Sequence, residues 1–120
     1  MRQIFVFGSN LAGRHGKGAA LHAKKVWGAE QGVGRGLTGN AYALPTKDEK
    51  LKRRSIQEIS HDWDLFIEFA ASCLKVEDCL FLVTPFGTGL AGYSLNDISN
   101  MVMLTEKIPP NVVFTKEWFE

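Results

Sequence analysis

The sequence predicts a compact three-layer α/β/α domain of Rossmann-like type, built on a mostly parallel central sheet. Three observations carry that expectation. A β-branched and aromatic run at residues 3–7 stops in Gly8-Ser9-Asn10, a continuous apolar run at 79–83 stops in a second glycine segment, and helical periodicities lie between the strands. Strands alternating with helices point to parallel pairing, because a parallel neighbour needs a crossover long enough to hold a helix. The length of 120 residues with 45% hydrophobic content suits one domain, 1–120, whose core needs no disulfide or metal.

Residues 3–7 read as a short buried first strand. A helical run follows at 19–27, with Ala19, Ala20, Ala23, Val26 and Trp27 as its expected core stripe. The stretch 31–40 is too glycine-rich to hold regular structure and too long for a simple turn, which marks a functional or mobile loop. Residues 41–44 alternate as a strand that Pro45 is expected to end, and 47–54 is a charged connection read as a solvated face. The clearest helix is 55–75, where Ile56, Ile59, Trp63, Phe66, Ile67, Ala70 and Leu74 recur at three and four, and Ser55 with Glu58 makes a capping box. Residues 79–83 have the pattern of a strand covered on both faces. Ser94 caps a third helix running to Leu104, with Asp97 at its third position, and 111–114 is a last short strand. Trp118 and Phe119 are expected to cover a sheet edge or to mediate self-association.

Composition excludes several function classes. With 14 Lys+Arg against 13 Asp+Glu the net charge is +1, so the chain is not a polycation held to nucleic acid by overall charge. Cys73 and Cys79 make no metal-binding spacing and read as free buried thiols; His15, His22 and His61 are scattered, so no metal site is expected. No apolar run approaches membrane-spanning length and the start has no signal-like apolar core, so the expected compartment is the cytoplasm, without membrane contact. A sheet of about four strands has edges to protect, which makes a homodimer an expectation.

Both glycine loops, 8–18 and 87–92, sit at the carboxyl ends of their strands, where open α/β sheets bind ligands. In the first, Gly13, Gly16 and Gly18 let the backbone approach a ligand, and the amides opening the helix near Gly18 to Ala20 form a positive end. The spacing GxxGxG is neither the dinucleotide fingerprint nor a P-loop. In the second, consecutive amides and the Thr88 hydroxyl are available to cradle phosphate, and Tyr93 either stacks on a ribose or base or packs beneath the loop. A diphosphate needs donors from more than one side, and two such loops supply them. Arg35 either closes over bound phosphate or keeps its loop soluble. His15, between Arg14 and Gly16, is a candidate acid/base or anion contact.

These segments resemble the macrodomains, the ADP-ribose-binding α/β modules. Asn10 followed by Gly16-Lys17-Gly18-Ala19-Ala20-Leu21-His22-Ala23 is similar to the family's first loop and helix, Ala41-Tyr42-Ala43-Leu44-Pro45 to its Tyr-x-Leu strand, and Gly87-Thr88-Gly89-Leu90-Ala91-Gly92-Tyr93 to its phosphate loop. The resemblance implies a small-molecule nucleotide ligand, ADP-ribose or a related NAD-derived nucleotide, and no required cofactor. It implies that Asn10 holds the distal ribose, with Gly8 and Ser9 among the ligand-binding residues, that the amides of Gly16, Lys17, Gly18 and Ala19 hold one phosphate and residues Gly87 to Gly92 the other, and that Tyr93 lies near the distal ribose or phosphate. An enzymatic version hydrolyses an ADP-ribosyl or ribose-phosphate bond, with Asn10 positioning water and His15 as acid/base. Lys17 departs from the Asp that hydrolytic members carry at that place. The alternative is a nucleic-acid or protein interaction module that uses Arg14, Lys17, Arg35 and the basic residues of 47–54.

Overall fold

The computed structural model describes the whole chain, Met1 to Glu120. Its elements are β1 (Arg2–Asn10), α1 (Gly18–Val26), β2 (Gly36–Thr38), β3 (Ala41–Lys47), α2 (Ile56–Cys73), β4 (Cys79–Val83), α3 (Leu95–Met103) and β5 (Val112–Phe114), closed by a 3-10 turn at Lys116–Phe119. The five strands form one sheet in the order β2-β3-β1-β4-β5. Parallel pairing joins β1 to β3, β1 to β4 and β4 to β5; β2 runs antiparallel to β3. The mostly parallel α/β expectation holds, with β2 as an additional antiparallel edge.

The central strand β1 divides the core. Its Ile4 and Val6 join Tyr42, Leu44, Phe81 and Val83 beneath α2 and α3 in the larger cluster, anchored by Trp63 and Phe66. Its Phe7 faces the other way, against Ala41, Ala43 and the Ala20 and Ala23 face of α1, while Phe5 stacks on Trp27 at 5.4 Å between ring centroids. The small alanines let the short helix lie close to the sheet, and the aromatic stack finishes the layer. Cys73 and Cys79 are free, buried thiols. No helix is long and apolar enough to cross a membrane.

Several expectations need correction. In α1, Ala19 is exposed and Val26 is 62% exposed, because only Ala20 and Ala23 reach the sheet. At the far end of α2, Leu74 has passed the edge of the core and is exposed. Pro45 does not end β3: it pairs opposite Ser9 of β1, and β2 reaches only Ala41 to Ala43, so the missing N–H of Pro45 faces no strand. Within 31–40, β2 does form regular structure, because Gly36 to Thr38 take their register from β3. β4 alternates: Cys79, Phe81 and Val83 are buried and Leu80 and Leu82 are half-buried, since α1 covers the β1 side of its face and not the β4–β5 side. Trp118 packs against Phe86 and Phe114 and donates from Nε1 to the Val83 carbonyl at 2.8 Å, whereas Phe119 is exposed.

Candidate functional site

The connections leaving β1, β3 and β4 at their carboxyl ends enclose a cleft of about 810 Å³. It runs from Thr46, Lys47 and Leu51 beyond β3, across Gly8, Ser9 and Asn10 of β1 and the start of α1, to the loop 84–91 beyond β4 and to Glu117 of the closing turn. Its charged residues are Arg14, Lys17, Lys47 and Glu117, three cations against one anion.

Helix capping sets α1 apart from the other two helices that start at this end of the sheet. At α2 the Ser55 hydroxyl accepts from the Glu58 amide at 3.1 Å and the Glu58 carboxylate accepts from the Ser55 amide at 2.9 Å. At α3 the Ser94 hydroxyl accepts from the Asp97 amide. At α1 the capping position is Lys17, which offers no side-chain acceptor, and the first turn holds no acid. The N–H groups of Gly18, Ala19 and Ala20, all lining the cleft, have no acceptor in the protein. Across the cleft the amides of Gly89, Leu90 and Ala91 are equally without a partner. Such amides need an acceptor from outside, and the open end of a helix adds a partial positive charge to the demand.

The glycines sort into two kinds. Gly13 packs loops together: its φ is +70°, and a Cβ there would lie 2.2 Å from the Gly32 carbonyl carbon. It supports the site from behind and does not line the cleft. At Gly16 and Gly89 a Cβ would meet nothing within 4 Å and the backbone is not left-handed, so neither packing nor conformation calls for glycine there. Their missing side chains keep the cleft floor open.

Of the residues expected in the site, Gly8, Ser9, Asn10, Gly16, Lys17, Gly18, Ala19, Gly87, Thr88, Gly89, Leu90 and Ala91 line the cleft. Several do so only through backbone. The Ser9 hydroxyl donates to the Gly34 carbonyl at 2.6 Å, and the Thr88 hydroxyl donates to the Pro85 carbonyl at 2.6 Å, so Thr88 has no proton left for a phosphate. The Asn10 side chain braces its own loop: Nδ2 donates to the Arg14 carbonyl and Oδ1 accepts from the Arg14 amide, both at 2.9 Å. With both ends of the amide engaged, Asn10 is a loop organiser and not a free water-positioning group.

Four expected residues lie outside the cleft. His15 is fully buried, edge-on to Phe7 at 5.5 Å and bonded through Nε2 to the Val33 carbonyl at 3.0 Å. Alternation within the loop turns it inward, and its roles as acid/base and as anion contact are withdrawn. Arg35 pairs with Asp62, Nε to Oδ1 at 2.7 Å and Nη2 to Oδ2 at 3.1 Å, and so does not close over the cleft. Tyr93 packs beneath its loop, donating to the Arg54 carbonyl at 2.6 Å with the Arg53 guanidinium 4.2 Å above its ring. Gly92 adopts φ +80° as part of that turn.

The network around Asp62 holds one wall. Arg54, taken in the sequence as part of a solvated run, is buried; its Nη1 donates to Asp62 Oδ2 at 2.6 Å and to the Pro45 carbonyl at 2.7 Å. Burial alone would push Asp62 up, but hydrogen bonds and charge from Arg35 and Arg54 outweigh it and hold the carboxyl below its ordinary value. Hydrogen bonding to Asp62 likewise holds the Arg35 guanidinium above its own. Burial takes Arg54 out of the basic surface that an interaction module would use, whereas Arg35 stays exposed with its fork engaged by Asp62. No group of three His, Cys, Asp or Glu is placed to hold a metal ion.

Sequence reading missed Thr46, Leu51, Thr84, Phe86 and Glu117 as lining residues. Lys47 carried a faint signal as a cation just past a strand end; Glu117 carried none, because only the packing of Trp118 under Val83 brings the last turn to the cleft.

Fold and site together define an α/β domain with an amide-lined cleft at the carboxyl ends of parallel strands. The fold is similar to that of a solved protein of unknown function from Bacteroides thetaiotaomicron, with TM-score 0.63 over 93% of this chain and 85% of that one at 15% identity, a likeness of fold alone. No protein-family model and no curated protein matches the chain.

Proposed function

We propose that the cleft binds a phosphorylated nucleoside, with ADP-ribose or a related NAD-derived nucleotide as the ligand class. The observation that carries the reading is the pair of unpartnered amide sets, Gly18 to Ala20 and Gly89 to Ala91, lining one cleft beside Arg14, Lys17 and Lys47. Two anion sites in one cleft suit a diphosphate, and the volume of about 810 Å³ is in the range of small-molecule sites. The resemblance of both loops to the macrodomains points the same way. The reading is one of binding: with His15 buried and Asn10 bonded to Arg14, no residue named for hydrolysis is free to perform it.

The test is a calorimetric titration with ADP-ribose, AMP, NAD and ribose 5-phosphate, with Gly89→Glu as the blocked control, since that position accepts a side chain without backbone strain. Micromolar binding, about 8 kcal/mol of recognition, that disappears in the control is the expected result. Wild-type protein silent toward all four ligands would remove the reading.

A further inference from the structure

We propose that Leu51 is a specificity-determining ligand contact that meets a heteroaromatic ring carried by the phosphorylated ligand; the proposal rests on the phosphate-binding reading of the cleft. Leu51 is the one non-glycine residue with positive φ, at +65°. A branched aliphatic side chain enters that region only where its surroundings impose it. Here the surroundings do. The Asp48 carboxylate accepts from the Lys50 and Lys52 amides at 2.9 Å each, the Asp48 amide donates to the Lys52 carbonyl at 2.7 Å, and Lys47 bridges Arg53. The strained turn is therefore clamped at its base and anchored through Arg54 to Asp62.

Folding does not explain the leucine. Glycine would satisfy the left-handed turn without strain. The side chain joins neither hydrophobic cluster; it is 40% exposed in the cleft wall. A second leucine, Leu90, is 65% exposed in the same cleft, next to the unpartnered amides. The cleft thus presents apolar groups on its walls that a bare phosphate or a sugar phosphate would leave wet. A ligand that also carries a flat aromatic ring would cover Leu51, and burial of that surface would select for it.

The experiment compares wild type with Leu51→Gly, which removes the side chain and relieves the backbone, in titrations with ADP-ribose, AMP, ribose 5-phosphate and inorganic pyrophosphate. The expected result is about a tenfold loss of affinity for ADP-ribose and AMP, which carry a heteroaromatic base, unchanged affinity for ribose 5-phosphate and pyrophosphate, which carry none, and a melting temperature equal to or above wild type. Equal loss for all four ligands would mean that the turn had loosened and carried Lys47 with it, and would overturn the proposal. Unchanged binding of ADP-ribose would overturn it as well. Wild type that binds pyrophosphate but neither ADP-ribose nor AMP overturns this inference together with the nucleoside reading and leaves anion binding alone, wild type that binds nothing overturns all three, and nucleotide binding that survives Leu51→Gly unchanged overturns this inference only.

Discussion

Asp62→Asn removes one charge from the wall that supports the cleft, and its cost follows from burial. The Asp62 side chain is 3% exposed and that of Arg54 is 8% exposed, so the neutral variant leaves the Arg54 guanidinium buried against an amide and the Pro45 carbonyl. Removing one partner of a buried pair costs about 3–5 kcal/mol. The lower end applies, because asparagine keeps one oxygen acceptor and the Arg35 side chain, 51% exposed, can turn to water. Unfolding a chain of 120 residues carries an entropy of about 0.25 kcal/mol per kelvin, so about 3 kcal/mol lowers the melting temperature by about 12 °C. Circular dichroism melts at neutral pH measure it, with Arg35→Ala as a partner variant expected to cost about 1 kcal/mol or less. A melting temperature for Asp62→Asn within about 3 °C of wild type would refute the assignment of this pair as a buried anchor.

Acid should act on the same carboxyl. Its folded pKa is lowered, so its stabilising contribution is complete above about pH 4 and is lost as pH falls through the lowered folded value; in Asp62→Asn that part of the acid-induced decline should be missing from chemical denaturation series. At the alkaline end Tyr42 is pushed up to about 12, first by burial and then by Asp62, so the unfolded chain ionises first and stability should fall between about pH 10 and that value; Tyr42→Phe should flatten the fall. Gly13→Ala, with its Cβ driven into Gly32, should destabilise by several kcal/mol, while Gly16→Ala should melt within about 2 °C of wild type. Thermal scans of both would fail this reasoning if the two variants melted alike. Ser55→Ala should cost about 1 kcal/mol, or about 4 °C, through loss of the capping box.

What could be read in advance was local. Ser55 with Glu58 and Ser94 with Asp97 announce helix starts within four residues, and the structure makes both sets of bonds. The strand-then-glycine pattern likewise placed two loops at one end of a parallel sheet, but the first loop starts later than expected, because β1 runs on through Gly8 to Asn10, paired with β3. What escaped depends on partners distant in sequence. β2 exists because β3 lends it register, Pro45 continues a strand because the neighbouring strand has already ended, and Arg54 is buried because Asp62 waits on α2. His15 shows the same limit from the other side: a loop sequence Arg14-His15-Gly16 reads as basic and open, while the fold tucks the imidazole under Phe7 and leaves Arg14 outside. The turn that presents Leu51 had no glycine to mark it, since its conformation is imposed by the Asp48 side chain.

On the proposed function, the unpartnered backbone amides are the main anion donors of this cleft, with Arg14, Lys17 and Lys47 beside them. Amide chemical-shift mapping during titration with ADP-ribose tests it most directly. Saturable shifts are expected, the largest among Gly18, Ala19, Ala20, Gly89, Leu90 and Ala91, with smaller changes at the turn that carries Leu51. Shifts confined to Lys50, Lys52 and Arg53, with the α1 and 84–91 amides unmoved, would contradict that function and assign binding to the exposed basic turn instead.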